Sequence, residues 1–177
     1  MKNKIKELND LNHLIEIIDI VDRNNQVIGQ ASKQEAHKNK LLHRSTHVII
    51  FWNNLIFLQL RSANKSQFLN KWDVSASGHL ITQENYITGA QREIKEELGL
   101  DVLSEQLIEI GNITASEATG FEFIKIFQIN YFEQPLIILN PDEITTGGWF
   151  SLDHINSWLK LKPEDFAGCF EVIIKNL

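Results

Sequence analysis

Three glutamates, Glu93, Glu96 and Glu97, stand close together in residues 85–98. The spacing predicts a helix there, stopped by Gly99 as a C-terminal cap. At about 100° per residue, Glu96 lies about 60° to one side of Glu93 and Glu97 about 40° to the other. One helix face thus carries three like charges within two turns, which destabilises an isolated helix. Ile94 and Leu98 supply an apolar side for packing, so the acidic side need not be fully solvated. Two readings suit such a face. It can be a solvated acidic surface, common on helices and favoured by the residue types alone. It can also be a ligand set for a hard divalent cation, because Mg²⁺ takes oxygen ligands from a few carboxylates and keeps waters for substrate phosphates.

Around this helix the chain alternates short β-rich runs with turns. Residues 14–21 and 26–30, joined by the turn cluster 22–25, predict a hairpin. Ser32, with Glu35 three residues on, offers a capping box for a short helix to about Asn39. Residues 46–52 and 55–60 flank Asn53-Asn54 as a second hairpin; a polar loop over 61–71 leads to a short strand at 72–75. Beyond the acidic helix, residues 107–114 and 121–132 read as strands, and a short strand surrounds 148–150 ahead of 153–161. Pro163 then opens a last amphipathic helix to Asn176, with Cys169 as a small core residue among Phe166, Ala167 and Phe170. Mixed strands with few helices predict an α/β (α+β) fold, an α/β/α sandwich around a mixed sheet.

At 177 residues with 43% hydrophobic and 23% charged residues, the chain reads as one domain over 1–177, with residues 1–40 as an N-terminal extension of hairpin and short helix. No apolar run approaches the ~18 residues of a membrane span, so no membrane partner is expected. The start has basic residues but no following apolar core, which reads against a secretory signal. A single cysteine excludes an internal disulfide and suits a reducing compartment, the cytoplasm. The net charge of −6 argues against a general nucleic-acid binder. Residues 1–71 carry 11 Lys/Arg against 6 Asp/Glu, a net of +5; residues 72–177 carry 6 against 17, a net of −11. This split is either two solvated faces or an anion site set against a cation site. Monomer and homodimer are both open.

Residues 78–100 resolve the first ambiguity. Gly78, Glu84, Arg92, Glu93, Ile94, Glu96, Glu97, Gly99 and Leu100 fit G-x5-E-x7-R-E-U-x-E-E-x-G-U, with U apolar, at every defined position. A chance match in a chain of this length has a probability on the order of 10⁻⁷ to 10⁻⁸ from average residue usage. The segment resembles the signature of the Nudix hydrolases. The resemblance implies a loop–helix–loop motif in an α/β/α sandwich that cleaves a small molecule built as a nucleoside diphosphate, or another diphosphate, linked to a further group. It also implies Mg²⁺ or Mn²⁺ as cofactor, with Glu93 and Glu97 as ligands, Glu96 as ligand or base, and the Ser77 carbonyl as a further ligand. Arg92 would hold Glu93, and Glu84 would pair with Arg92, while Gly78 and Gly99 are structural in the motif. The physical logic agrees, since cations neutralise phosphate charge and activate water.

The layout also resembles the isopentenyl-diphosphate isomerase branch of that family. The resemblance rests on the N-terminal hairpin and on residues 41–47, 61–65, 72–79 and 148–152 in their order and spacing. It implies that Arg61 and Lys65 grip a diphosphate, a role that suits a guanidinium fork and an ammonium. In the isomerases a cysteine stands where this chain has Ser77, and a Glu-x-Glu pair where only Glu122 remains. A hydroxyl is a poor proton donor to carbon, so the resemblance implies hydrolysis over isomerisation. Glu122 is then an extra ligand or base. His43 and His79 fall near the isomerases' metal-binding histidines and would form a second metal site for Zn²⁺ or Mn²⁺. His37, on an exposed-looking helix, reads as a structural histidine; His13, His47 and His154 show no constellation. Glu143 reads as part of a solvated turn. Two alternatives stay open: an isopentenyl-diphosphate isomerase-like enzyme, and a nucleotide-binding module without catalysis.

Overall fold

The structure, a computed structural model, describes residues 16–65 and 67–177. Residues 14 and 15 of the expected first strand, the basic start and His13 lie outside the described residues. Ile17–Val21 (β1) pairs antiparallel with Val27–Ser32 (β2), as the turn cluster requires. Lys33–Lys38 (α1) follows, with the Ser32 hydroxyl accepting from the Glu35 amide. His43–Trp52 (β3) and Leu55–Arg61 (β4) form the second hairpin, turned through Asn53 and Asn54, both at positive φ, which asparagine tolerates well. Trp72–Asp73 (β5) and Ala76–His79 (β6) precede the long helix Tyr86–Leu98 (α2). Ile108–Ile113 (β7), Glu122–Tyr131 (β8) and Ile144–Ser151 (β9) complete a seven-stranded mixed sheet. Its path runs β5-β4-β3-β8-β7, with β6 on β3 and β9 on β4; β3 and β8 are parallel.

The two faces of this sheet explain the sandwich. Val48 and Ile50 of β3 and Phe127 and Ile129 of β8 pack on Ile94 and Leu98 of α2. Ile49 of β3, Ile56 and Leu58 of β4, and Ile124 and Ile126 of β8 face the other way. They meet Ile155 of Leu152–Leu161 (α3) and Phe170 and Ile173 of Phe170–Ile174 (α4). Strands buried on both faces read as continuous apolar runs, which is why Val48-Ile49-Ile50 shows no alternation. Each such fully buried side chain stabilises the fold by roughly 1.5–3 kcal/mol. Among the described residues no helix is long and apolar enough to cross a membrane.

Two elements differ from the sequence reading. The last helix is not continuous from Pro163: Pro163–Asp165 forms one 3-10 turn, and α4 begins only at Phe170. Long-range pairing breaks it, because Phe166 bridges to Trp72 and the Ala167 amide donates to the Trp72 carbonyl at 2.9 Å. Cys169 is therefore the residue ahead of α4 rather than a mid-helix core position. β9 is longer than residues 148–150, because Ile144, Thr146 and Gly147 also pair with β4 around an irregularity at Thr145; a side chain at Gly147 would strike the Phe57 ring at 2.2 Å.

Candidate functional site

The acidic site is built by α2 and the strand that precedes it. Asn85 caps α2 by accepting from the Ile87 and Thr88 amides, and Gly99 closes it at φ 68° with its amide on the Lys95 carbonyl. Ile94 and Leu98 anchor the inner side, and this draws Glu93 and Glu97 down into the protein while Glu96 stays exposed. The Glu97 carboxylate accepts from Gln59 Nε2 at 2.9 Å and from the Ser77 amide at 3.1 Å, both on Oε2. Gly78 leaves room for Glu93: a Cβ there would lie 1.9 Å from Glu93 Oε1.

Burial and the nearby Glu97 push the Glu93 carboxyl up to about 8, against the pull of Arg92. Burial also raises Glu97, and the nearby Lys65, the Ser77 amide and the Gln59 amide only partly offset it. Two buried carboxylates that resist ionisation side by side are a donor set that a divalent cation would relieve. Arg92 organises the rim. Its guanidinium forks onto Glu84 (Nε–Oε1 3.0 Å, Nη2–Oε2 2.9 Å), and Nη1 donates to Glu93 at 2.7 Å and Glu96 at 3.0 Å. Nη2 also donates to the His79 carbonyl at 2.9 Å, which ties β6 to α2.

Opposite the carboxylates stand amines. Lys65 and Lys33 line a cavity of about 290 Å³ together with Glu93, Glu96 and Glu97. Burial pulls the Lys65 amine down, although Glu97 favours its charge. Lys65 pairs with Glu143, so the turn expected to be solvated reaches the site instead. Lys33 pairs with Glu16 at 3.0 Å. Arg61 sits farther in, on the adjoining cavity, with Nη1 on Asp73 Oδ2 at 3.2 Å.

A second cluster lies across β6. His37, His43, His79 and Glu122 bring one ligand atom each within 4.8 Å of one another. His37 Nε2 is 3.2 Å from His79 Nε2, which is 3.3 Å from Glu122 Oε1. His43 Nδ1 donates to the Leu41 carbonyl at 2.7 Å, which fixes the tautomer that leaves Nε2 as an acceptor. Burial and the neighbouring histidines pull His37 down to about 4, so it is neutral at pH 7. Burial would raise Glu122, but His79, by charge and by hydrogen bond, holds it well below the usual carboxylate range. Three imidazoles and a carboxylate at this spacing could hold a Zn²⁺ or Mn²⁺ ion.

The structure thus brings together all three glutamates, Ser77, Gly78 and Arg92 around one cavity, with Glu84 behind Arg92, and gathers His43, His79 and Glu122 in one cluster across β6. Sequence reasoning left out His37, which is half-buried and contacts His79 from 42 residues away. It also missed Lys33, whose neighbour in sequence, Ser32, starts a helix whose far end carries His37; one turn of helix separates the two.

Residues 41–168 match the sequence model of the NUDIX domain. The chain is 28% identical over 161 residues to isopentenyl-diphosphate Delta-isomerase 2 of Photorhabdus laumondii, spanning 89% of each protein. It is 28% identical over 159 residues to the prenyl-diphosphate phosphatase of Methanosarcina mazei, spanning 88% of this chain and 91% of that one. Among solved structures, DR0079 from Deinococcus radiodurans superposes with a TM-score of 0.76 at 22% identity, over 90% of this chain and 98% of that one.

Proposed function

Because the chain belongs to the Nudix family, we propose that it is a metal-dependent hydrolase that splits a diphosphate linkage in a small molecule by attack of water at phosphorus. The observation that carries this reading is the buried Glu93–Glu97 pair facing Lys65 across one cavity. Glu93, Glu96 and Glu97, with the Ser77 carbonyl, would hold the Mg²⁺ or Mn²⁺ ion. Such a cation, when bound, would neutralise phosphate charge and lower the pKa of a water.

The chain's own groups do the rest. Lys33 and Lys65 hold phosphate oxygens, and Glu143 yields Lys65 to the substrate. Arg92 keeps Glu93 and Glu96 in place while Glu84 holds Arg92. Glu96, exposed at the mouth of the cavity, takes the proton of the attacking water. A new P–O bond forms, the bridging P–O bond breaks, and the departing phosphate carries away the electron pair. We place the protein in the cytoplasm, as its lone cysteine suits a reducing compartment.

The His37–His43–His79–Glu122 cluster favours one second reading, an isomerase acting on isopentenyl diphosphate, the activity named for several relatives. Ser77 and the single Glu122 weigh against it, since proton transfer to carbon wants a stronger acid and base. The test is incubation with Mg²⁺ or Mn²⁺ and a panel of nucleoside diphosphate derivatives, prenyl diphosphates and isopentenyl diphosphate, resolved by mass spectrometry. Cleavage at a diphosphate, lost in Glu97→Gln, is the expected result. Exchange of solvent deuterium into isopentenyl diphosphate, with its diphosphate intact, would replace hydrolysis by isomerisation.

A further inference from the structure

Behind the acidic cavity lies a smaller one of about 100 Å³. Lys33, Lys65, Ser77 and Gly78 line both, so this inner chamber opens where the diphosphate lies in the proposed reaction. It has room for a few waters or a short substituent, well under the roughly 300–1,000 Å³ that encloses drug-sized ligands. Phe68 closes one wall by lying over Gly168, where a Cβ would come 2.7 Å from the ring.

His47 on β3 lines this chamber, opposite Ser77 on β6 and Ile126 on β8. It is 4% exposed, and among the described residues neither Nδ1 nor Nε2 has a hydrogen-bond partner. The histidine–glutamate cluster does not include it. An imidazole ring can offer one donor and one acceptor. Buried polar groups are nearly always paired, and a ring with both nitrogens idle against a cavity is shaped for a ligand rather than for stability. Among the other polar walls, Asp73 is already occupied by Arg61 and by the Val74 amide, while His37, His79 and Glu122 are engaged with one another in the histidine cluster.

We propose that His47 is a specificity residue which hydrogen-bonds a hydroxyl on a short substituent of the substrate, so that the chamber selects diphosphates of small hydroxylated chains over plain alkyl ones. This rests on the hydrolase reading for the position of the diphosphate. A site built to pair a hydroxyl rejects the analogue that lacks it far more strongly than an apolar pocket discriminates by size.

The experiment compares dimethylallyl diphosphate with the same chain carrying a terminal hydroxyl, by kcat/KM and by thermal-shift binding in Mg²⁺, for wild type, His47→Leu and His47→Gln. Wild type is expected to prefer the hydroxylated chain at least tenfold. His47→Leu should bring the ratio near one, with the plain chain unaffected, and His47→Gln should keep part of the preference. The unliganded His47→Leu protein should melt at or above the wild-type temperature, since it loses an unpaired polar group. A ratio near one in wild type, an unchanged ratio in His47→Leu, or a loss of several degrees in its melting temperature would each overturn the assignment. If no compound in the wider panel is cleaved, the hydrolase reading fails. The binding ratio still decides the role of His47: a preference lost in His47→Leu supports it, and equal binding overturns it.

Discussion

Gly78→Ala tests the acidic site at its tightest point. An added Cβ would lie 1.9 Å from Glu93 Oε1, 2.1 Å from Cδ and 2.6 Å from Oε2, where ordinary contact begins at 3.4 Å. The carboxylate must therefore retreat by about 1.5 Å, the difference between 3.4 and 1.9 Å. It has little freedom to do so, because Glu93 is buried and Arg92 holds it at 2.7 Å. Strand β6 cannot yield cheaply either, since its pairing with β3 places Gly78 opposite Thr46. A displacement of about 1 Å in catalytic machinery costs on the order of 10²-fold in rate, so turnover should fall by at least that factor. Affinity for Mn²⁺, read by titration calorimetry, should fall in parallel. Gly99→Ala is the control: φ of 68° and the Ile138 carbonyl 3.2 Å from a Cβ predict a loss of about 1 kcal/mol in stability, with kcat nearly unchanged. Wild-type turnover and Mn²⁺ binding in a folded Gly78→Ala protein would refute the claim that Glu93 must occupy this position.

Further outcomes follow from the two charged clusters. Glu93 keeps its proton up to about pH 8 in the folded protein, whereas an unfolded glutamate loses it near 4.5. Between those values only the folded state holds the proton, so this group's contribution to stability is lost as pH rises from about 4.5 to about 8. Melting temperatures without added metal should show that decline, and Mg²⁺ should flatten it by favouring the ionised carboxylates; a profile insensitive to Mg²⁺ would count against the ligand role. His43→Asn should lower Zn²⁺ or Mn²⁺ affinity at the histidine cluster by more than the roughly 10–100-fold that loss of an outer partner costs. Metal analysis after dialysis checks it, and undiminished retention would remove His43 from the ligand set.

The acidic helix was legible almost to the residue because its determinants are local. Asn85 and Gly99 close its ends through neighbouring backbone groups, and Ile94 and Leu98 fix the buried side by spacing alone. Gly78 and Arg92 were legible through the motif, although their physical reason, room for one carboxylate and a fork on another, needed coordinates. The C-terminal segment misled because Pro163 marks a helical turn whichever way the chain continues, while the bridge from Phe166 to Trp72 depends on partners far apart in sequence. Glu143 and His37 were misplaced for the same reason. Their partners, Lys65 and His79, belong to other elements, and no local pattern announces them. His47 is illegible by nature, since what distinguishes it is the absence of any partner among the described residues.

Strand β6 accounts for how the acidic cluster and the histidine cluster come to share one wall. Side chains on a strand point alternately to opposite faces. Gly78 therefore addresses α2, where its missing side chain makes space for Glu93, while His79 addresses the cluster with His37 and Glu122. The backbone serves both: the Ser77 amide donates to Glu97, and the His79 carbonyl accepts from Arg92. A change in the bound state of one cluster thus has a direct mechanical route to the other, through three consecutive residues rather than through the sheet. Substitution at His79 should accordingly disturb Arg92 and the acidic site, whereas substitution at His37, which touches β6 only through its ring, should leave that site intact. Metal titration of the acidic cavity in His79→Ala and His37→Ala distinguishes the two, and equal effects would show that the coupling does not run through β6.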